Sequence, residues 1–329
     1  MKVSILIAAR NEEANIILCL QSVNALSYAP EDFEVLIGND ASEDRTGILI
    51  EDYIQDKPTF RLFNIQENIG LARGKANVLA QLAHHAKGGC LLMTDADIQV
   101  PPLWIQAMLG ACSHNTGVVA GITIVKGQHL FHHLQSLDWA YAFGMVHLLM
   151  IRKIPVTAMG NNMLITKEAY QAVGGYENIP FSVTEDFTLF HAIVNKGYHF
   201  THLLTKDVLA YSQPVLSFTD LLNQRKRWMG GAVKLPFYIK CIFLIQALIF
   251  PLLIIFLWIA PKVFLIIFFT KILFDIIYLL WVLNRIKELH LIRYVLLYEI
   301  YMAAFSMLTL LYYFVPGKLQ WKGRKYETK

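Results

Sequence analysis

Cys90-Leu91-Leu92-Met93-Thr94-Asp95-Ala96-Asp97 is the stretch that decides how this chain folds. A run suited to a buried strand stops abruptly at two carboxylates. Upstream of it, short apolar runs alternate with helical patterns: strands over 3–9, 33–37, 60–65 and 89–94, and helices over 12–25, 42–55 and 71–86. Strands separated by helices of this length predict βαβ units around a mostly parallel, buried sheet. Ligands of such sheets gather at the carboxyl ends of the strands. Asp40 and Asp95 both stand at such ends and are expected to face one crevice.

Two carboxylates at the end of a buried strand repel each other unless a cation lies between them and a ligand. Hard oxygen donors favour Mg²⁺ or Mn²⁺ over zinc, and these ions keep waters and bind substrate phosphates. Spacing alone is met equally by a solvated turn. Other features carry similar double readings. Thr184-Glu185-Asp186 opens a helical run over 187–195, where acidic residues also suit a helix N-terminus. Ser42 and Asp44 are placed to cap the helix that follows Asp40. Amphipathic helices are expected over 128–152 and 218–230, the second carrying Gln224-Arg225-Lys226-Arg227-Trp228. Arg225 and Lys226 suit a basic face on anionic lipid, whereas a Gln and a Trp in that run do not follow from lipid contact.

Of 329 residues, 55% are hydrophobic. With a positive mean hydropathy, this is too apolar for two water-soluble domains. The excess falls after about residue 240, in three candidate spans over 241–259, 263–283 and 294–315. Lys271 and Asp275 are spaced to pair on one helical face, and Glu299 requires a partner or a wet cavity. Three full crossings would place the basic tail, with Lys318, Lys322, Arg324, Lys325 and Lys329, outside. That opposes the positive-inside tendency. The segment over 241–259, interrupted by Pro251, is therefore expected not to cross fully, leaving the C-terminus cytosolic. Four cysteines without CxxC spacing argue against a zinc site or disulfide framework, and a net charge of +4 is too small to imply nucleic acid. Met1-Lys2 runs straight into the first strand, so no signal peptide is expected. His84, His85, His129, His132 and His133 lack metal-ligand spacing.

Asp40 in Asn39-Asp40-Ala41, Asp95-Ala96-Asp97, Thr184-Glu185-Asp186 and Gln224-x-x-Arg227-Trp228 follow one another in an order and spacing that resembles family 2 glycosyltransferases. The relevant subgroup includes cellulose, hyaluronan and chitin synthases and ceramide glucosyltransferase. The resemblance reaches from the first strand to Trp321-Lys322-Gly323-Arg324. It implies a GT-A (nucleotide-diphospho-sugar transferase) Rossmann-like α/β domain followed by C-terminal transmembrane helices. By this resemblance Asp97 and Asp95 hold Mg²⁺ or Mn²⁺, and Asp95 also approaches the donor. Arg10, Glu12, Asp40, Lys75, Gln224 and Arg227 bind the nucleotide sugar. Asp186 is the catalytic base, and Glu185, Asn161, Asn162 and Trp228 meet the acceptor. Asn39-Asp40-Ala41 departs mildly from the family's Asp-Asp or Asp-Gly pattern.

The domain expectation is a catalytic domain over 1–213, an interfacial segment over 214–240, a membrane domain over 241–315 and a basic tail over 316–329. The function expectation is an inverting, metal-dependent transfer from a UDP-linked sugar to a membrane lipid or growing glycan. The catalytic domain would be cytosolic, at the plasma membrane if the source is bacterial. Alternatives are a processive polysaccharide synthase, which shares the QxxRW pattern, and a non-catalytic sugar-nucleotide-binding membrane subunit, which would be expected to lose Asp97, Asp186 or Arg227.

Overall fold

The computed structural model describes residues 2–232, 235, 237–315, 319–321 and 324–326. The positions Lys318, Lys322, Gly323 and Lys329 of the basic tail lie outside the described residues. Two compact units are present, one of residues 1–124 and 143–213, the other of 125–142 and 214–329. The stretch 125–142 is amphipathic and finds its partners among the helices after residue 214.

The first unit holds strands β1 (Val3–Ala9), β2 (Phe33–Asn39), β3 (Phe60–Asn64), β4 (Cys90–Asp95), β5 (Ile98–Gln99), β6 (Thr116–Ala120), β7 (Ile122–Val125), β8 (Asn162–Thr166), β9 (His199–His202) and β10 (Leu209–Ser212). Its helices are α1 (Ile16–Asn24), α2 (Thr46–Ile54), α3 (Lys75–His85), α4 (Trp104–Gly110), the C-terminal part of α5 (Leu130–Met150), α6 (Lys167–Ala172), α7 (Gly175–Asn178) and α8 (Glu185–Asn195). Seven strands form one sheet in the order β3-β2-β1-β4-β8-β6-β9. β1 pairs in parallel with both β2 and β4, and β2 with β3. β8 is antiparallel to β4 and to β6, whereas β6 pairs in parallel with β9, so the sheet is mixed and β8 is the strand that runs against the rest. Because β1 lies between β2 and β4, a crevice opens at their carboxyl ends, where ligands of open sheets bind. β1 and β2 are apolar almost throughout because both sheet faces are covered. Leu6, Leu36, Val78, Leu79, Leu82, Met93, Met163 and Phe190 fill one face of the core.

At the opposite end of the strands the polar groups are closed off. Ser4 Oγ donates to Glu34 Oε1 at 2.7 Å, and the Lys87 and Gly88 N–H groups complete the network on Glu34 and Ser4. A second internal polar pair joins α5 to β9. His202 Nδ1 lies 3.3 Å from His147 Nδ1, and His147 Nδ1 is 3.0 Å from the His202 carbonyl oxygen. Burial, with the neighbouring His147, pushes the His202 pKa down from 6.5 to about 3. A histidine depressed in the folded state binds its proton only on unfolding, so its contribution to stability is present above pH 6.5 and is lost as pH falls toward 3. The expected loss is about 1.4 kcal/mol per pH unit below that threshold. Urea unfolding between pH 7.5 and 5.5 measures it; His202→Leu should flatten the profile, and an unchanged slope would count against the assignment.

The second unit begins with the N-terminal part of α5 and continues with α9 (Phe218–Ala232), α10 (Phe237–Ile259), α11 (Pro261–Ile286) and α12 (Val295–Tyr313). A short hairpin of Leu319–Trp321 and Arg324–Tyr326 follows. Gln135, fully buried on α5, fixes the chain entering α9 by exchanging two hydrogen bonds, of 2.9 and 3.0 Å, with the backbone of Val215. Among the described residues two segments, Pro261–Ile286 and Leu289–Tyr313, are long and apolar enough to cross a membrane. Pro251 does not break α10, contrary to expectation. It leaves the Ala247 carbonyl without an intrahelical donor, a loss that apolar helices tolerate when neighbours pack against them. Lys271 reaches Asp275 Oδ2 at 2.6 Å and also pairs with Glu299, so one ammonium serves both carboxylates. Asp275 is further held by the Tyr141 hydroxyl at 3.0 Å.

Candidate active site

One side of the crevice is built by the loops after β1 and β2. Asn11 and Ala41 both take left-handed backbone, with φ of 51° and 47°. Such a conformation is costly for alanine and concentrates at functional sites. It lets Arg10 turn across to the next loop, where its guanidinium donates to the Asp40 carbonyl at 2.6 Å and the Ala41 carbonyl at 3.3 Å. Ser42 does not cap α2. Its Oγ accepts the Asn11 N–H at 3.1 Å and ties the two loops together, while Asp44 receives the Thr46 and Glu13 N–H groups. Glu12 is buried, its N–H donating to Thr46 Oγ1 at 2.7 Å and its carboxylate accepting from Asn15.

Asp95 closes β4, and its carbonyl accepts the Cys19 thiol at 3.4 Å. Burial raises the thiol pKa, and the charges of Asp97, Asp95 and Glu12 raise it further, so these three carboxylates surround one point of α1. Among the described residues no group of three or more His, Cys, Asp or Glu side chains forms a complete metal cage. Two hard-oxygen carboxylates two positions apart nonetheless fit Mg²⁺ or Mn²⁺, which take one or two protein carboxylates and complete their shell with waters and substrate phosphates.

Lys75 is the first residue of α3, and Gly74 before it adopts φ 57°, ψ −133°, a conformation open to glycine alone. That turn delivers the ammonium into the site. Lys75 Nζ lies 2.5 Å from Asp95 Oδ1, a buried oxygen with no other hydrogen-bond donor among the described residues, and 3.3 Å from Glu185 Oε1. Burial pulls the lysine pKa down, but Asp95, Glu185 and Asp186 outweigh it and hold the ammonium above its ordinary value. Burial pushes the Glu185 pKa up, against the pull of Lys75. Sequence reasoning places Lys75 near the nucleotide and misses its bridge between two motifs, though the Gly74-Lys75 pair signals it.

Asp186 lies in the first turn of α8. One oxygen accepts its neighbour's N–H, from Phe187 at 2.8 Å, and the other accepts the Gly160 N–H at 2.8 Å. A side chain on Gly160 would put a Cβ 2.9 Å from the Asp186 Cβ, so this approach requires glycine. The adjacent asparagines differ in what they have to offer. Asn161 accepts from Thr123 Oγ1 at 3.1 Å. Asn162 is fully buried; it donates to the Ile122 and Val208 carbonyls and accepts the Trp104 indole N–H at 2.8 Å. Its amide is thereby engaged within the fold, joining β8 to β7, to the turn at Val208 and to α4.

Gln224, Arg227 and Trp228 belong to the second unit, on α9. Gln224 Oε1 is buried without a hydrogen-bond partner among the described residues, which is costly unless a ligand satisfies it. Arg225 suits a basic face on lipid by sequence. Instead it is largely buried, ion-paired with Asp138 of α5 and stacked over the Trp228 ring at 4.5 Å.

A family model described as Glycosyl transferase family 21 matches residues 2–329. The probable glycosyltransferase YdaM of Bacillus subtilis (strain 168) is 25% identical over 239 residues, covering 70% of this chain and 55% of that protein. A beta-monoglucosyldiacylglycerol synthase of Synechocystis sp. is 23% identical over 238 residues, covering 70% and 47%. The chain thus spans about half the length of the curated relatives it matches. Among solved structures, the mannosyltransferase PcManGT from Pyrobaculum calidifontis, in complex with GDP-Man and Mn²⁺, aligns with a TM-score of 0.54 at 17% identity, covering 97% of this chain and 76% of that one. That likeness establishes the GT-A fold, in keeping with the resemblance carried by the four motifs. With its whole described length matched by the family model, the chain belongs to glycosyl transferase family 21.

Proposed function

We propose that this protein is an inverting, divalent-metal-dependent glycosyltransferase that moves one sugar from a UDP-linked donor to the hydroxyl of a membrane lipid. The observation that carries the reading is the gathering of Asp95, Lys75, Glu185 and Asp186 into one charged cluster at the carboxyl end of β4. Asp186 takes the proton of the acceptor hydroxyl. The acceptor oxygen then forms a bond to the anomeric carbon from the face opposite the leaving group. The bond to the diphosphate breaks, its electron pair leaves with the nucleotide, and the configuration inverts. Asp97 and Asp95 would hold the metal, which when bound supplies positive charge against the departing diphosphate. Glu12, Asp40 and Arg10 serve the nucleoside, Gln224 and Arg227 the diphosphate, and Asn161, Glu185 and Trp228 the acceptor. The relative named for diacylglycerol glucosylation supports a lipid acceptor. The two span-length helices support an integral membrane protein; we place its catalytic unit in the cytosol, at the plasma membrane of a bacterial source.

Purified full-length protein, given radiolabelled UDP-glucose, UDP-galactose, UDP-N-acetylglucosamine or GDP-mannose with a membrane lipid extract, is expected to yield a lipid bearing one sugar, identified by mass spectrometry. A product insoluble in organic solvent that lengthens with time would overturn this in favour of a polysaccharide synthase. Asp97→Ala is expected to weaken UDP binding about tenfold or more and to remove stimulation by Mn²⁺ together. Full activity in excess EDTA would take the metal out of the reaction.

A further inference from the structure

On the second unit, Asp138 and Trp139 of α5 face α9 from outside every motif of the proposed site. Asp138 pairs with Arg225 through one oxygen, and its other oxygen lies 3.5 Å from the Tyr298 hydroxyl of α12. Both charged side chains are largely out of water, at 12% exposure for Arg225 and 21% for Asp138. The Arg225 guanidinium in turn lies over the Trp228 ring at 4.5 Å and within 5.8 Å of Phe305. Trp139 meets the same indole edge-on, with centroids 5.3 Å apart at 63°. Trp228 is thus gripped on one side by a cation and on another by an aromatic ring.

The grip has a definite order of dependence. An arginine buried this far needs a countercharge, and a planar guanidinium stacks on a ring only while something holds its plane. Asp138 supplies both. Without it, Arg225 would turn toward water or lipid headgroups and leave one face of the indole bare. Within a signature of Gln, Arg and Trp, the intervening Arg225 thus orients the Trp.

We propose that Asp138, acting through Arg225, is the positioning residue that fixes the indole of Trp228, and that acceptor recognition by Trp228 depends on it. The second half of this statement rests on the reading of Trp228 as an acceptor contact.

Two measurements on detergent-solubilised full-length protein test the halves separately. Acrylamide quenching of the Trp228 emission, isolated by difference against Trp228→Phe, should rise about twofold or more in Asp138→Asn and equally in Arg225→Lys. The lysine variant keeps the ion pair but not the stacked plane, so it also decides the matter if Asp138→Asn fails to fold. Asp138→Glu should restore most of the protection. Unchanged quenching in Arg225→Lys would overturn the proposal. In mixed micelles with diacylglycerol as acceptor and UDP-glucose as donor, Asp138→Asn and Trp228→Phe should each raise the acceptor KM on the order of tenfold, the scale of a desolvated cation–π contact. The donor KM should not move, and the double variant should be no worse than Trp228→Phe. Multiplying effects would overturn the coupling. Raised quenching with an unmoved acceptor KM would support the positioning and sink the acceptor role.

Discussion

Asp186→Asn is expected to lower sugar transfer by about 100- to 10,000-fold, the range that a general base contributes. The asparagine retains one carbonyl oxygen for the Gly160 N–H, so that 2.8 Å contact survives, while the local Phe187 N–H contact and the proton acceptor are lost. UDP binding by titration calorimetry should stay within about twofold of the parent, because the loops at Arg10 and Asp40, proposed to hold the nucleoside, are untouched. Near-parental turnover would move the base elsewhere in the cluster, to Glu185 first. Gly160→Ala offers an independent check, since the added methyl group must displace Asp186 and should depress turnover while the carboxylate remains.

Lys75→Met is expected to be the most damaging substitution for stability in the first unit. The lysine is the cation shared by Asp95 and Glu185 at 2.5 and 3.3 Å, and Glu185 is itself largely buried. Removing one partner of a buried pair leaves uncompensated charge and costs about 3–5 kcal/mol. Asp95 is about a third exposed, so water takes up part of its charge and the lower end applies. A loss of about 3 kcal/mol lowers Tm by roughly 10 °C in a unit of this size. Added Mn²⁺ should recover more of that loss in the variant than it adds to the parent, because a metal can replace the missing cation. A Tm within 2 °C of the parent would show that the ammonium is a surface charge.

What the residues disclose on their own follows from how local each signal is. Strand β1 is readable to the residue, and the abrupt passage from Thr94 to Asp95 places a site at the end of β4, because a buried strand announces itself by composition and its end by charge. Strand direction is not legible in the same way. Asn162–Thr166 reads equally well parallel or antiparallel, and only the pairing of β8 with β4 settles it. Asn162 shows a related limit: a polar residue at the edge of an apolar run resembles a ligand contact, and nothing local announces that Ile122 of β7, Val208 and Trp104 of α4 supply three partners. Lys271 and Asp275 are legible as a pair four apart, but Glu299 joins them from 28 positions away. Asp138 and Arg225, 87 positions apart, each look like the wet face of an amphipathic helix. Neither carries any mark of the other.

The discontinuity of the second unit bears on how the chain is made. Its first portion, 125–142, leaves the ribosome before all of 143–213 has been synthesised, and its remaining portion comes only after residue 214. At roughly 5–20 residues per second, that interval lasts about 4–14 seconds. Throughout it, α5 has one end belonging to a sheet domain that is closing around it and the other end, with Trp139 and Tyr141, waiting for helices not yet translated. The nascent chain therefore carries the uncovered face of an amphipathic half-helix while its sheet unit matures. Any version of the protein ending near residue 213 would keep that face without the helices that cover it.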